Sequence, residues 1–489
     1  MAHPSSNEPR ARFPEAVRLR ANGAPPRRPA ATATRATASP IVVHHARYAA
    51  DPIMQEFFRR TRGSATESRR ARAVLPMGVS SSFRFYEPYP IVMEHGRGCH
   101  LWDVDGNRYI DYNLAQGTMV VGYAHPEIAR AVKGAVATGS MFALPSRDDR
   151  TIAELLCKRF PVDQVRLTNT GSESVMYAVR LARAFTRRTR ILRFEGAYHG
   201  TYDAVLGGFR SRPDKAGPAD DPQPDYAAAG LIPGALEGAL VAGYNDIDTV
   251  RRRFREHGKE IAAVLVEPVI LNYGLCPPEP GFIEELRRLC DEHDALLIFD
   301  EVKTGIKLAW GGACEFLGIR PDLICLAKSI GGGLPLGAFG GRQEVMDLIA
   351  RDEVLHTGTY CGNRASLAAG IATLSRVMTR GVYRRLNTLS RRLRKGYEQV
   401  VRRHRLEAHV AQLGPFGTLW LGRRPVKNYR DFLHYSEDRW MRFYFGMANN
   451  GVLPAPPGQD DVWTMSVAHD EKAIDQTIRA FDRVAPLLR

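Results

Sequence analysis

Short apolar runs, most of them closing on a polar or charged residue, recur through the middle of the chain. Residues 295–302 (ALLIFDEV) end in Asp300 and Glu301, 322–327 (DLICLA) lead into Lys328, and 261–268 (IAAVLVEP) carry Glu267 near their end. Residues 165–169 (VRLTN) and 191–194 have the same texture. Runs of this length without polar alternation mark strands covered on both faces of a parallel sheet. Between them the period changes. Thr170-Gly171-Ser172-Glu173 opens a helix with Val175, Val179, Leu181, Ala182 and Phe185 on its apolar side, and helices are predicted over 281–293, 342–350 and 363–378. This alternation from about 126 to 350 predicts an α/β architecture, a mostly parallel central sheet with helices on both faces.

The flanks differ. Residues 51–72 predict a short amphipathic helix and a basic link, 78–90 a loop presenting Arg84, and 91–112 a hairpin turning at Asp105-Gly106-Asn107. Residues 206–240, rich in Gly, Pro, Asp and Ala, predict a long loop of the kind that forms lids. A long basic helix over about 382–403 leads to strands near 417–421 and 462–467 and helices at 431–449 and 471–488, the pattern of a smaller α+β unit. The expected organisation is an arm over 1–50, an N-terminal segment over 51–125, a large domain over 126–380 and a C-terminal domain over 381–489.

Charge changes this picture little once it is located. The formal balance of +15 is concentrated in residues 1–75, where fourteen arginines and no lysine face five acids. The first 45 or so residues lack apolar periodicity and are expected to be disordered; their acid-poor, arginine-rich composition fits either an organelle transit peptide or a plain N-terminal extension. No nucleic-acid motif with interleaved aromatics accompanies the charge. Seven scattered cysteines without a C-x-x-C pair point to a reducing compartment and away from structural zinc, and no apolar run has membrane-spanning length. A soluble, cytoplasmic protein without metal, nucleic-acid or membrane partners is expected.

The candidate chemistry sits at the ends of the apolar runs. Carboxyl ends of parallel strands are where such sheets build sites. A lysine leaving a buried strand pays a desolvation cost that favours a neutral, nucleophilic amine, the kind that forms a Schiff base with a carbonyl. An aspartate at the end of a neighbouring run suits a protonated pyridine nitrogen. Lys328 and Asp300 together suggest pyridoxal phosphate; taken singly, a snorkelling lysine and a helix-capping aspartate are the competing readings. Thr170-Gly171-Ser172 opening a helix after a strand fits an anion, as it also fits an ordinary capped helix. Tyr198-His199, on a loop between glycines, offers either a stacking face for a planar heterocycle or core packing.

In order, NTGSES before a helix, FEGAYHG, VEP, FDEV, LAKSIGGGLPLGAFGG and HTGTYCGN resemble the class III aminotransferases, pyridoxal phosphate enzymes of fold type I. Within that family the chain is most similar to the glutamate-1-semialdehyde aminomutases, over about residues 75–489. The resemblance implies that Lys328 forms the Schiff base and moves the substrate proton, and that Asp300 keeps the ring nitrogen protonated. It places Tyr198 and Val302 on the two faces of the ring, and Thr170, Gly171 and Ser172 around the phosphate. Gly358 and Thr359 would reach the phosphate of a neighbouring subunit, which implies a homodimer with shared sites. Glu195, His199 and Asn272 fall near the cofactor, and Arg84 would clamp a substrate carboxylate. Gln116 stands where the aminomutases carry tryptophan, and Asp461 where they carry glutamate. These departures predict a roomier, more polar pocket and a substrate outside tetrapyrrole synthesis. Three activities stay open: an aminotransferase joining a carboxylate-bearing amine and a keto acid or aldehyde, an intramolecular aminomutase or epimerase, and a non-catalytic cofactor-binding protein.

Overall fold

The computed structural model describes residues 50–209, 211–212, 214–225, 229–456 and 462–488. The expected disorder of the N-terminal arm and the position of Asp461 fall outside them.

The chain enters through two helices, α1 (Pro52–Arg60) and α2 (Arg62–Arg72). Asp51 caps α1, its side chain accepting from the Ile53 amide, and Pro52 fits the first turn. The expected basic link is thus itself helical: Asp105 accepts from the amides of Gly63 and Ser64 and fixes the first turn of α2. Three antiparallel strands follow, β1 (Met93–Arg97), β2 (His100–Asp103) and β3 (Arg108–Asp111), where the pattern predicts a two-stranded hairpin. The turn at Asp105-Gly106-Asn107 lies between β2 and β3; Asp103 holds it by accepting from the amides of Asp105 and Asn107.

The central sheet has seven strands: β4 (Gln164–Thr168), β5 (Arg190–Phe194), β6 (Ala239–Ala242), β7 (Ile261–Val266), β8 (Leu296–Asp300), β9 (Leu323–Leu326) and β10 (Gly337–Gly341). Their order is β4-β10-β9-β8-β7-β5-β6. All pairings are parallel except those of β10, which runs antiparallel to both neighbours. Every residue of β6, β7, β8 and β9 is buried, as the unbroken apolar runs require. Helices α3 (Pro126–Ala137), α4 (Arg147–Arg159), α5 (Gly171–Thr186), α6 (Ile247–His257), α7 (Phe282–Glu292), α8 (Gln343–Ala350) and α9 (Arg364–Ala372) cover the sheet. Two strands of this sheet go beyond the sequence pattern: β6 at the end of the glycine-rich stretch, and β10, written GAFGG.

A long helix, α10 (Val382–His404), packs along α12 (Glu471–Val484) and leads to the strands β11 (His409–Leu413) and β12 (Phe416–Trp420). The predicted helix over 431–449 is broken, into a single turn at Tyr429–Phe432 and α11 (Glu437–Asn449). β13 (Val452–Leu453) pairs in parallel with β3, and β14 (Val462–Thr464), shorter than expected, completes the sheet of β11 and β12. The two chain ends therefore build one layer together; Phe57 of α1 packs against Phe445 of α11 with ring centroids 4.5 Å apart and the rings tilted by 58°. No helix of the described residues is long and apolar enough to cross a membrane.

Candidate active site

Parallel β4, β5, β7, β8 and β9 end on one edge of the sheet, and the polar residues that close them meet there. They line a cavity of about 350 Å³ that holds Thr170, Gly171 and Ser172 after β4, Tyr198 and His199 after β5, and Glu267 and Asn272 after β7. Asp300 and Val302 enter from β8, Lys328 from β9, and Gln116 from the loop after β3.

The floor is a buried hydrogen-bonded set. His199 Nδ1 lies 2.8 Å from an Asp300 carboxylate oxygen, and the other oxygen accepts from the Val302 amide at 3.0 Å. Burial holds the His199 imidazole below its usual range, with Asp300 opposing. Glu267 Oε1 accepts from the Tyr198 amide at 3.0 Å and from the Asn272 amide nitrogen at 2.6 Å. Burial, reinforced by Asp300, pushes the Glu267 carboxyl up to about 7. Glu301, beside Asp300, serves the fold instead, accepting from Thr304 Oγ1 and from the amides of Ala313 and Cys314 and so capping the short helix Gly312–Leu317.

The anion end is shaped by α5. Thr170 and Glu173 form a capping box, so the hydroxyl of Thr170 serves its own helix while the first-turn amides face the cavity edge. A Cβ at Gly171 would lie 2.9 Å from Val302, and one at Gly200, which sits at φ 96°, 2.4 Å from Ser172 Oγ, so both positions exclude a side chain. Tyr198 is braced by Phe83 edge-on at 5.4 Å and by Phe209 at 4.8 Å. Lys328 starts a single helical turn at φ 51°, a left-handed conformation that non-glycine residues adopt mainly where the surroundings impose it.

One wall has an unusual backbone. Leu114, Ala115 and Gln116 all have φ between 50° and 58°, followed by Gly117 at 76°. They form one turn of left-handed helix, closed by the Gly117 amide donating to the Asn113 carbonyl at 2.8 Å. Asp111 anchors it, accepting from the amides of Asn113 and Leu114.

Some expected residues lie elsewhere. Glu195 is buried but turned away, its carboxylate bridged to Arg430 at 2.7 Å. Arg84 lines an adjoining cavity, and Gly358 and Thr359 sit on an exposed loop off the cavity wall. Glu267, Lys303 and Phe83 line the cavity although sequence reasoning gave them no role there. Glu267 carries the same signature as Asp300, an acid ending a buried run, and was accessible on that ground.

Similarity to known proteins fits this geometry. The family model for class-III aminotransferases matches residues 83–483, and the chain belongs to that family of pyridoxal-phosphate enzymes. It is 40% identical over 422 residues to the glutamate-1-semialdehyde 2,1-aminomutase of Desulforudis audaxviator (strain MP104C), covering 85% of this chain and 96% of the relative. Among solved structures, an omega-transaminase from Sphaerobacter thermophilus superimposes with a TM-score of 0.82 at 33% identity, over 86% of this chain and 97% of its own. A transaminase with PLP bound does so at 0.80 and 30%, over 88% and 98%. The architecture is that of fold type I.

The residues present fit the cofactor. A lysine amine, a buried carboxylate, an aromatic ring and a side-chain-free helix start share one cavity. His199 Nε2 and Glu267 Oε2 are buried without a hydrogen-bond partner among the described residues.

Proposed function

We propose that this enzyme transfers an amino group between a carboxylate-bearing amino compound and a keto acid or aldehyde, with Lys328 as the proton-moving residue. The observation that carries it is the convergence of Lys328 and Asp300, delivered by adjacent strands, on the cavity that α5 opens onto. Pyridoxal phosphate, when bound, supplies a carbonyl for the amine and a ring that withdraws electrons. Thr170, Gly171 and Ser172 hold its phosphate at the helix start. Asp300, fixed by His199 and the Val302 amide, keeps a proton on the ring nitrogen. Tyr198 and Val302 set the plane of the ring, and Asn272 and the loop of Glu195 support that end of the cavity. The Lys328 amine takes the proton from the amine-bearing carbon and returns it, as general base and then acid. Arg84 binds the substrate carboxylate, with Gln116 shaping the pocket; Asp461, expected to contact substrate as well, lies outside the described residues.

We further infer a homodimer in which the exposed Gly358-Thr359 loop reaches the partner's phosphate, in the cytoplasm, with residues 126–380 as the cofactor domain. Leu355 and Tyr360 beside it are 64% and 66% exposed, side chains that a partner subunit would cover.

The 40% identity to an aminomutase favours intramolecular transfer as a second reading. Purified protein loaded with pyridoxal phosphate and given single amines decides. Release of a keto product, with an absolute need for an external acceptor, supports transfer between molecules; isomerised product without acceptor supports the mutase. Lys328→Ala is expected to abolish the shifted visible absorbance of the bound cofactor and to lower turnover about 10²–10⁴-fold; unchanged absorbance and turnover would refute the role of Lys328.

A further inference from the structure

The turn that carries Tyr198 is gripped from outside the cavity as well as from within. On the cavity side the Tyr198 amide donates to Glu267 Oε1 at 3.0 Å. On the far side stands the single turn Tyr429–Phe432, which Asn428 caps by accepting from the Asp431 amide. Arg430 Nε donates to Glu195 Oε2 at 2.8 Å, and one of its terminal nitrogens lies 2.7 Å from the other carboxylate oxygen. That nitrogen also donates to the carbonyls of Ala216 and Gly217, at 3.2 and 3.0 Å. One planar guanidinium thus joins three segments far apart in the chain, a task for which a fork of fixed donors is suited and a lysine amine is not.

Tyr429 repeats the pattern. Its hydroxyl donates to the Ser211 carbonyl at 3.2 Å, and its ring packs so closely on Gly196, at φ 77°, that a Cβ has no room there. The two gripped segments also meet each other: the Gly196 amide donates to the Gly208 carbonyl at 2.8 Å, and the Phe209 ring lies 4.8 Å from that of Tyr198. The Glu195 side chain is 3% exposed and that of Arg430 25%. Burial raises the Glu195 carboxyl and Arg430 opposes it, so loss of the guanidinium would leave a buried charge without compensation.

We infer that Arg430, which does not line the cavity, is a positioning residue for Tyr198. Acting through Glu195 and through the Ala216-Gly217 carbonyls, it makes the Tyr198 turn and the loop outside it one piece, docked on the C-terminal part of the chain. The inference rests on the reading that Tyr198 sets the plane of the cofactor ring. A change at position 430 then reaches the reaction through the seat of the ring, in kcat, and leaves the binding of substrate largely alone.

Amide hydrogen exchange of the cofactor-loaded full chain, read over 195–209 and 214–225, tests the grip without any amine substrate. Arg430→Met should speed exchange in both segments about tenfold or more, with the rest of the chain unchanged. Glu195→Gln should loosen 195–209 and spare 214–225, whose carbonyls Arg430 still holds. Arg430→Lys should restore part of the protection of 195–209. Arg403→Met, which removes the exposed pair with Asp482, should leave both segments as they are. At matched cofactor occupancy, Arg430→Met should also change the visible circular dichroism of the bound cofactor and lower kcat about tenfold, with KM little altered. Exchange unchanged in both segments, or a rise spread evenly over the chain, would overturn the grip. Loosened segments with dichroism and kcat at parental values would overturn the positioning role. Dichroism unmoved by Tyr198→Leu as well would place that failure in the stacking reading of Tyr198. Loosened segments and altered dichroism in an enzyme that transfers no amine would support the inference and remove the transfer reading alone.

Discussion

The floor and the mouth of this site are built on different principles. Asp300, His199 and Glu267 are 3%, 1% and 2% exposed and stand at or beyond the ends of buried, paired strands, Asp300 lying opposite Cys325. Arg84, Phe83 and Gln116 stand on loops and single turns; Arg84 is exposed, and the segment of Gln116 adopts a left-handed turn. Buried strand ends hold reacting groups to fractions of an ångström, while loops carry the part that distinguishes one substrate from another. On the proposed reading, the floor decides what reaction occurs and the mouth on which molecule.

Substitutions on the two sides should separate in kind. The largest effect belongs to the floor. Asp300→Ala strips His199 of its buried partner and, on the proposed reading, the ring nitrogen of its counter-charge, and breaking such a pair costs about 3–5 kcal/mol. Turnover should fall about 10²–10³-fold, with a smaller change in KM, in steady-state kinetics across several amines. A uniform loss for every amine is the floor's signature; a loss confined to one substrate would contradict it.

Glu267→Gln probes the same floor through pH. The Glu267 carboxyl is raised to about 7 by burial first and by Asp300 second, with Lys303 and the hydrogen bonds from Asn272 and Tyr198 opposing. Arg193, wholly buried on β5, is the other charge coupled to it. A carboxyl whose folded value lies above its unfolded one costs nothing below the ordinary range near 4.5 and its full penalty above about 7. The glutamine variant should therefore gain stability over the parent as pH rises from about 5 to 8, by up to about 3 kcal/mol. Urea unfolding at several pH values measures this, and a gain that grew toward acid would have the wrong sign.

The smallest effect belongs to the mouth. Arg84→Gln should raise KM about tenfold for amines that carry a carboxylate, the loss of a charge-assisted hydrogen bond worth about 1.5–3 kcal/mol partly offset by solvent. Amines without the acid should barely respond. Equal responses of both classes would mean that Arg84 serves the fold.

The same division governs what the amino-acid sequence discloses. β7 and β8 are legible because burial on both faces leaves an uninterrupted apolar run, and Lys328 and Asp300 stand out as charges ending such runs. β10 is hidden because its strand is largely glycine: a Cβ at Gly340 would meet the Gln164 carbonyl oxygen at 2.5 Å and one at Gly341 the Asp322 carbonyl oxygen at 2.4 Å. Close packing there demands the residue that local propensity assigns to loops. β6 is hidden by brevity, four residues after a long irregular stretch. Glu195 illustrates the limit for sites. Its motif is intact, yet Arg430, 235 positions away in the chain, takes its carboxylate, and no local pattern discloses that pairing.

The left-handed turn at Leu114–Gly117 restricts how this wall of the cavity can diversify. A side chain at position 116 projects from a mirror-image coil in which branching at the β-carbon collides with the backbone. Valine, isoleucine and threonine are thereby barred, while unbranched and aromatic residues remain admissible. Lineages descending from this enzyme would change what they accept by lengthening or shortening one spoke, with the hub left as it is.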